Sequence, residues 1–170
     1  IMLKELKQKL NELMESKEFR EFKKNAPKSY LVSCFWFIDA KTGKKELKID
    51  FYNPEKHKIS SFEKKEKIEC RIDQEIFQEK KEILNELKLE KIKVDFEGAI
   101  KKAKDILLKK YNEEASKLIV ILQNIKGVGV WNITAITSGF KLLNLKLNAE
   151  NNEIISEHLE SVFEFKKLDT

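Results

Sequence analysis

An alternation of apolar and polar residues, which recurs in two parts of the chain, limits what this sequence can fold into. Every second residue is apolar in residues 36–40 and 47–51, and the same holds for residues 131–135 and 143–147. Successive side chains of a β-strand point to opposite faces, so this period of two predicts strands with one buried face. Short turns separate the members of each pair, which predicts two antiparallel hairpins.

Apolar residues at steps of three and four predict three helices that could cover those buried faces. The first helix spans residues 3–24 and ends before Pro27. The second spans residues 73–88 and the third residues 95–111, and each begins at an aspartate that can cap it. Each hairpin is therefore preceded by at least one amphipathic helix.

The two alternating parts also align as an internal repeat. Sliding residues 36–61 onto residues 131–156 without gaps matches nine of 26 positions, including Trp36 with Trp131. Chance similarity between two amphipathic hairpins is the alternative explanation. If the repeat is real, the two tryptophans are equivalent buried anchors, one in each of two cores.

We therefore predict an α+β protein made of two tandem helix-plus-antiparallel-meander units, each with the order α-β-β-β. The helices are expected to pack on one face of each sheet. The first unit covers residues 1–72, a connecting helix covers residues 73–91, and the second unit covers residues 92–170. The two meanders, residues 30–62 and 128–160, should superpose.

The second unit resembles the PepSY domain family in two segments. The first is the helix entry Ile92-Lys93-Val94-Asp95-Phe96-Glu97-Gly98-Ala99-Ile100, and the second is the end of the meander, residues 145–154. The family typically has an Asp-Ala-x-Thr-Gly-x turn where this chain has residues 148–153. The resemblance implies a cystatin-like α+β domain that is often extracytoplasmic and sometimes attached to peptidases as an inhibitory or chaperone-like segment. It implies no catalytic residues.

The charge of the chain is basic and unevenly spread. The net charge is +5, to which residues 1–72 contribute +6 and residues 73–170 contribute −1. Only two of the 34 basic residues are arginine, and lysine lacks the planar fork that recognises phosphate and guanine. A solvated Lys/Glu surface is favoured, and nucleic-acid binding with Tyr52 as a stacking residue is the alternative. The candidate polyanion contacts are Lys41, Lys44, Lys45, Lys56, Lys58, Lys64 and Lys65.

No motif in the sequence indicates catalysis, a metal site or a cofactor. Cys34 and Cys70 form no CxxC pair and are predicted to be two free thiols. His57 and His158 lack neighbours at ligand spacing and are predicted to lie on the surface. Residues 127–129 contain two glycines but no phosphate-loop pattern, and they predict a turn. We therefore expect a protein without enzyme activity, metal or cofactor.

The leading functional hypothesis is a non-enzymatic binding or regulatory module that interacts with a protein, such as a peptidase. Leu31, Phe35 and Phe37 alternate on the strand face opposite Trp36, and they form a candidate partner face. A second sheet, a helix or another protomer could cover that face instead. Binding of a small molecule in a cavity between helix and sheet is a further alternative.

The sequence also gives an expectation for cellular location. No apolar run is long enough to span a membrane. The amphipathic, charged start lacks the apolar region of a signal peptide. A cytoplasmic location is the default expectation, and an extracytoplasmic one follows if a leader has been removed. The expected partners are a protein or a second copy of the chain, and nucleic acid is less favoured.

Overall fold

The computed structural model describes residues 3–76 and 82–163 of the chain. Within them, eight antiparallel strands form one continuous sheet. In chain order the strands are β1 (Tyr30–Asp39), β2 (Lys45–Asn53), β3 (Lys58–Lys64), β4 (Ile68–Gln74), β5 (Ala115–Ile125), β6 (Val128–Thr137), β7 (Lys141–Asn148) and β8 (Ile154–Ser161). Their order across the sheet is β4-β3-β2-β1-β5-β6-β7-β8, so the chain runs outward from the centre twice.

The predicted fold class of two separate helix-plus-meander units is wrong, because β1 and β5 pair at the centre of the sheet. Their register runs from Ser33 opposite Gln123 to Asp39 opposite Lys117. This ladder joins the two halves into one hydrogen-bonded layer with one core. The alternation in the sequence identified the strands, but it carries no information about which strands pair across the two halves.

In the described part of the chain, three α-helices cover one face of this sheet. They are α1 (Leu3–Glu15), α2 (Lys17–Asn25) and α3 (Phe96–Tyr111). The predicted single helix over residues 3–24 is divided at Ser16, whose Oγ donates to the Leu13 carbonyl at 2.6 Å and accepts from the Phe19 N–H at 3.2 Å. Ser16 thus ends α1 and caps the start of α2, so the chain can change direction over the core.

The predicted connecting helix over residues 73–88 is also corrected. Residues 73 and 74 belong to β4, and residues 82–88 have no helical structure. A short 3-10 helix follows at Leu89–Lys91, and residues 77–81 lie outside the described part of the chain. The aspartate cap predicted for the third helix is confirmed, because Asp95 Oδ1 accepts from the Gly98 N–H at 2.9 Å.

The two tryptophans share one core. Both are fully buried, as predicted, but their ring centroids lie only 5.7 Å apart. The Phe96 ring of α3 packs against both, at 5.0 Å from Trp36 and 6.1 Å from Trp131. Trp36 lies on the innermost strand β1, whereas Trp131 lies on β6, which is one strand further out. The two tryptophans are therefore not at equivalent positions of the sheet, because Trp131 lies one strand further from its centre than Trp36.

Both cysteines are free, which confirms the prediction of two thiols. Cys34 lies in the core on β1, and burial raises the pKa of its thiol well above the usual range. Cys70 lies exposed on the edge strand β4. In residues 3–76 and 82–163 no helix is both long enough and apolar enough to cross a bilayer.

The burial of Cys34 predicts that the two thiols react very differently, because the thiolate is the reactive form. Ellman's reagent should titrate one thiol, Cys70, in the native protein and both thiols in denaturant. A Cys70→Ser variant should show almost no native reaction. Rapid native labelling of that variant would contradict the buried position of Cys34.

The two indoles differ in hydrogen bonding, which predicts a difference in stability. Trp131 Nε1 donates to the Val94 carbonyl at 2.9 Å, whereas Trp36 Nε1 has no partner in the described residues. Replacing either ring by Phe removes similar apolar area, but only Trp131→Phe leaves a carbonyl unpaired. Trp131→Phe should lower the free energy of unfolding by about 1–2 kcal/mol more than Trp36→Phe. Urea unfolding followed by circular dichroism measures both, and equal losses would contradict the assignment.

Candidate binding face

The sheet has one face without a helix over it in the described residues. The buried residues of all three helices belong to the same core cluster as Trp36, Val120 and Ile133, which fixes the helix-covered face. Side chains one position along each strand must therefore point away from the helices. The register places those side chains side by side across the sheet.

We call the central part of this helix-free surface the open face. It consists of four rows of four residues on β1, β5, β6 and β7, one row for each set of cross-strand neighbours. Fourteen of the sixteen residues are half-buried, while Val130 is buried and Lys117 is exposed. The rows are Ser33, Gln123, Val130 and Asn148; Phe35, Ile121, Asn132 and Lys146; Phe37, Ile119, Thr134 and Asn144; and Asp39, Lys117, Ile136 and Leu142.

The centre of the open face is apolar, and its flank is lined by amides and hydroxyls. Phe35 and Phe37 of β1 lie directly opposite Ile121 and Ile119 of β5. On the β6 and β7 side, Asn144 Nδ2 donates to Asn132 Oδ1 at 2.9 Å and to Thr134 Oγ1 at 3.1 Å. These bonds hold the amides in fixed orientations, so the flank is organised before any partner arrives.

A second polar network borders the open face on the β2 side. Asp50 is nearly buried and accepts from Ser33 Oγ at 3.0 Å and from Ser61 Oγ at 2.6 Å. Gln74 Nε2 donates to the same Ser61 oxygen at 2.9 Å. Lys48 lies 3.6 Å from Asp50 Oδ2, with its ammonium 5.1 Å from the Phe35 ring centroid. The carboxylate is thus satisfied within the sheet and does not form a bare anionic spot.

The structure separates the three residues of the predicted partner face. Phe35 and Phe37 lie on the open face, but Leu31 belongs to the core and is 8% exposed. A bulge in the pairing of β1 with β2, between Leu31 and Ser33, reverses the alternation and turns Leu31 toward the helices. A strict period of two could not reveal this reversal.

The sequence did not assign Ile119 and Ile121 to the face. Both lie within the apolar run Leu118–Leu122, where every residue is apolar and no alternation is visible. A run that is apolar on both faces is typical of a strand at the middle of a sheet, and β5 occupies that place. This composition was the available signal.

Six of the seven lysines predicted as polyanion contacts lie within ion-pair distance of a carboxylate. Lys56 pairs with Asp73 at 2.7 Å and Lys64 with Glu12 at 2.9 Å, and Lys45, the most distant, lies 3.4 Å from Glu97. The other three pairs are Lys44 with Glu46, Lys58 with Glu75, and Lys65 with Glu69. The seventh candidate is Lys41, an exposed residue of the turn after β1. Local compensation of this kind does not favour a continuous phosphate-binding surface.

Tyr52, the predicted stacking residue, is fully buried. Because it is buried, the Tyr52 ring offers no face on which a base could stack. The Tyr52 hydroxyl lies 2.8 Å from His57 Nδ1. His158 is exposed on β8, 3.6 Å from Glu160. In the part of the chain that the structure describes, no group of His, Cys, Asp or Glu side chains has a metal-binding arrangement.

Comparison with solved structures finds a protein of similar fold. No family model matches the chain, and no curated protein matches it. A crystal structure of a "putative lipoprotein" from Clostridium difficile 630 superposes with a TM-score of 0.51 and 14% identity. The match covers 87% of this chain and 98% of that chain, so nearly all of that protein has the present architecture. At this level of identity the similarity shows the fold alone.

The two sides of β1 predict losses of stability of different size on truncation. Leu31→Ala should lower the free energy of unfolding by about 2–4 kcal/mol, because it opens a cavity in the core. Phe37→Ala should cost about 1 kcal/mol or less, because the ring is only half-buried and no helix of the described residues packs on it. Thermal and urea unfolding of both variants test the assignment of faces. A larger loss for Phe37→Ala would contradict it.

Proposed function

We propose that this protein is a non-enzymatic binding module that docks a partner protein on the open face. The observation that supports the proposal is a half-buried apolar surface, centred on Phe35, Phe37 and Ile119, which the described residues leave without a covering element. A sheet face exposed only to water is normally polar. An apolar, solvent-facing surface of this extent is typical of an interaction site.

The size of the sheet suits a specific protein interface. Eight strands about 4.8 Å apart span roughly 34 Å, and strands of about eight residues are roughly 26 Å long. The whole helix-free side of the sheet therefore offers on the order of 900 Å², of which the four strands of the open face make up about half, compared with roughly 800 Å² per partner in a standard interface. A partner that covers the open face and its polar borders would fill this area.

The composition of the open face supports the same function. Three of its sixteen residues are charged, namely Asp39, Lys117 and Lys146, whereas 37% of the whole chain is charged. Interface centres are depleted in charge and enriched in aromatic residues. The bonded amides of Asn132 and Asn144 add fixed donors and acceptors, which give a partner its orientation.

The partner that fits best is an acidic protein. The chain carries a net charge of +5, so two copies repel each other, whereas an acidic surface is attracted during diffusion. We place this encounter outside the cytoplasm, because the Clostridium difficile protein of similar fold is a "putative lipoprotein". The PepSY resemblance agrees with such a place and with a peptidase-like partner.

Site-specific cross-linking in cells tests where the partner docks. A photoreactive phenylalanine analogue is placed at Phe37 or Ile119 of the open face, and at Leu108 of α3 as the control, since Leu108 is also exposed and apolar. Illumination should give one adduct of defined mass from the two sheet positions and none from Leu108. The same adducts from all three positions would contradict the proposal. An adduct of two copies of this chain would also overturn it, in favour of self-association.

The purified partner then allows a quantitative test. A Phe37→Thr/Ile119→Thr variant places β-branched threonine, which suits a strand, at both positions and removes the apolar centre. We expect it to weaken binding by about 100-fold, on the order of 3 kcal/mol, as is usual for central interface residues. Leu108→Thr should bind as the parent does. Calorimetry measures all three proteins, and equal affinities would refute docking on the open face.

A further inference from the structure

The helix-covered side contains a cleft that the open face does not explain. It lies between α1 and strands β1–β4 and has a volume of about 580 Å³. Its floor is apolar and includes Leu13 of α1, Ile49 of β2 and Phe62 of β3. Both the volume and the apolar floor are typical of sites for small molecules.

The rim of the cleft is rich in lysine. Five lysines and three glutamates line it, and Lys45 and Lys65 also lie within ion-pair distance of Glu97 and Glu69 just outside the lining. Lys45 is the most informative of them, because its ammonium lies 5.4 Å from the Phe96 ring centroid, and Phe96 packs directly on Trp36. The Lys45 ammonium and the Trp36 ring thus both lie close to the Phe96 ring.

Trp36 supplies an unused hydrogen-bond donor at this place. Its side chain forms part of the cleft wall, yet its Nε1 has no partner in the described residues and is shielded from water. Buried indole N–H groups usually have an acceptor, and Trp131 in the same core has one. An acceptor for Trp36 can come from a molecule that enters the cleft and moves the side chains that shield the indole N–H.

We infer that the cleft binds a small amphipathic anion. The apolar body of the ligand lies along Leu13, Ile49 and Phe62, and its anionic group lies between Lys45 and Trp36. One oxygen accepts from Trp36 Nε1, and the negative charge faces the Lys45 ammonium. Glu97, which lies 3.4 Å from Lys45, is then replaced by the ligand as the nearest anion. A carboxylate, sulfonate or phosphate monoester attached to an apolar group has this chemistry.

Two fluorescent probes with the same ring system test the inference on the full chain. The first, 1-anilinonaphthalene-8-sulfonate, carries the anion, and the second, N-phenyl-1-naphthylamine, lacks it. The anionic probe should bind with one-to-one stoichiometry and about tenfold more tightly than the neutral probe. Equal affinities, or binding of several anionic probes per chain without a distinct first site, would overturn the inference.

Matched variants locate the bound probe. Trp36→Phe and Lys45→Gln should each weaken binding of the sulfonate by about fivefold or more, and change the affinity of the neutral probe by less than about twofold. Trp131→Phe and Lys101→Gln are the controls, since they alter the other buried indole and a lysine paired with Asp105 on α3. Loss of binding in the controls, or no loss in Lys45→Gln, would refute the site. Circular dichroism of each variant checks that it is folded.

The open face is tested separately with the same probes. The Phe37→Thr/Ile119→Thr variant should bind the sulfonate with unchanged affinity, because it leaves every residue of the cleft intact. If this variant loses the probe, the probe lies on the open face and the cleft inference fails. Failure of partner docking leaves the probe result unaffected, so the two proposals can fail independently.

Discussion

The ladder between β1 and β5 is the interaction on which the rest of this structure depends. It makes one layer of two sets of strands, from Ser33 opposite Gln123 to Asp39 opposite Lys117. Because both strands lie at the centre, their middle residues, 34–38 and 118–122, are apolar on both faces. One face meets the helices through Trp36 and Val120, and the other presents Phe35 and Ile121 to the outside. Core and candidate binding face are therefore opposite sides of the same pairing.

The two faces have different surroundings, because the helices of residues 3–76 and 82–163 cover only one of them. On the covered face, α3 lies over the second half with small residues, Ala99 and Ala103, that are fully buried. Over the first half, α1 and α2 are separated at Ser16, and a cleft remains beside Trp36. In the closely packed part of the core, the Trp131 indole N–H forms a hydrogen bond. Beside the cleft, the Trp36 indole N–H has no hydrogen-bond partner in the described residues.

The sequence predicted local structure well and long-range pairing poorly. Alternation located most of the strands, and the Asp95 cap and the turn at Gly127 were identified correctly from residue chemistry. The union of the halves was missed, because hydrogen-bond partners some 80 residues apart leave no periodic signal. Leu31 was assigned to the wrong face, since one bulge reverses the alternation. A cavity between helix and sheet was one alternative from the sequence, but its position could not be predicted, because it depends on how closely separate elements pack.

Central pairing also has a consequence for the order of events during synthesis. β1 is among the first strands to leave the ribosome, but β5, its neighbour, follows some 80 residues later. At about 5–20 residues per second, one edge of the innermost strand stays unpaired for several seconds. The middle of β1, which includes Phe35 and Phe37, is apolar on both faces. During this time its free edge can therefore form hydrogen bonds with a wrong strand. A ribosome-associated chaperone that shields residues 30–39 would therefore act on the step at which this fold is most vulnerable.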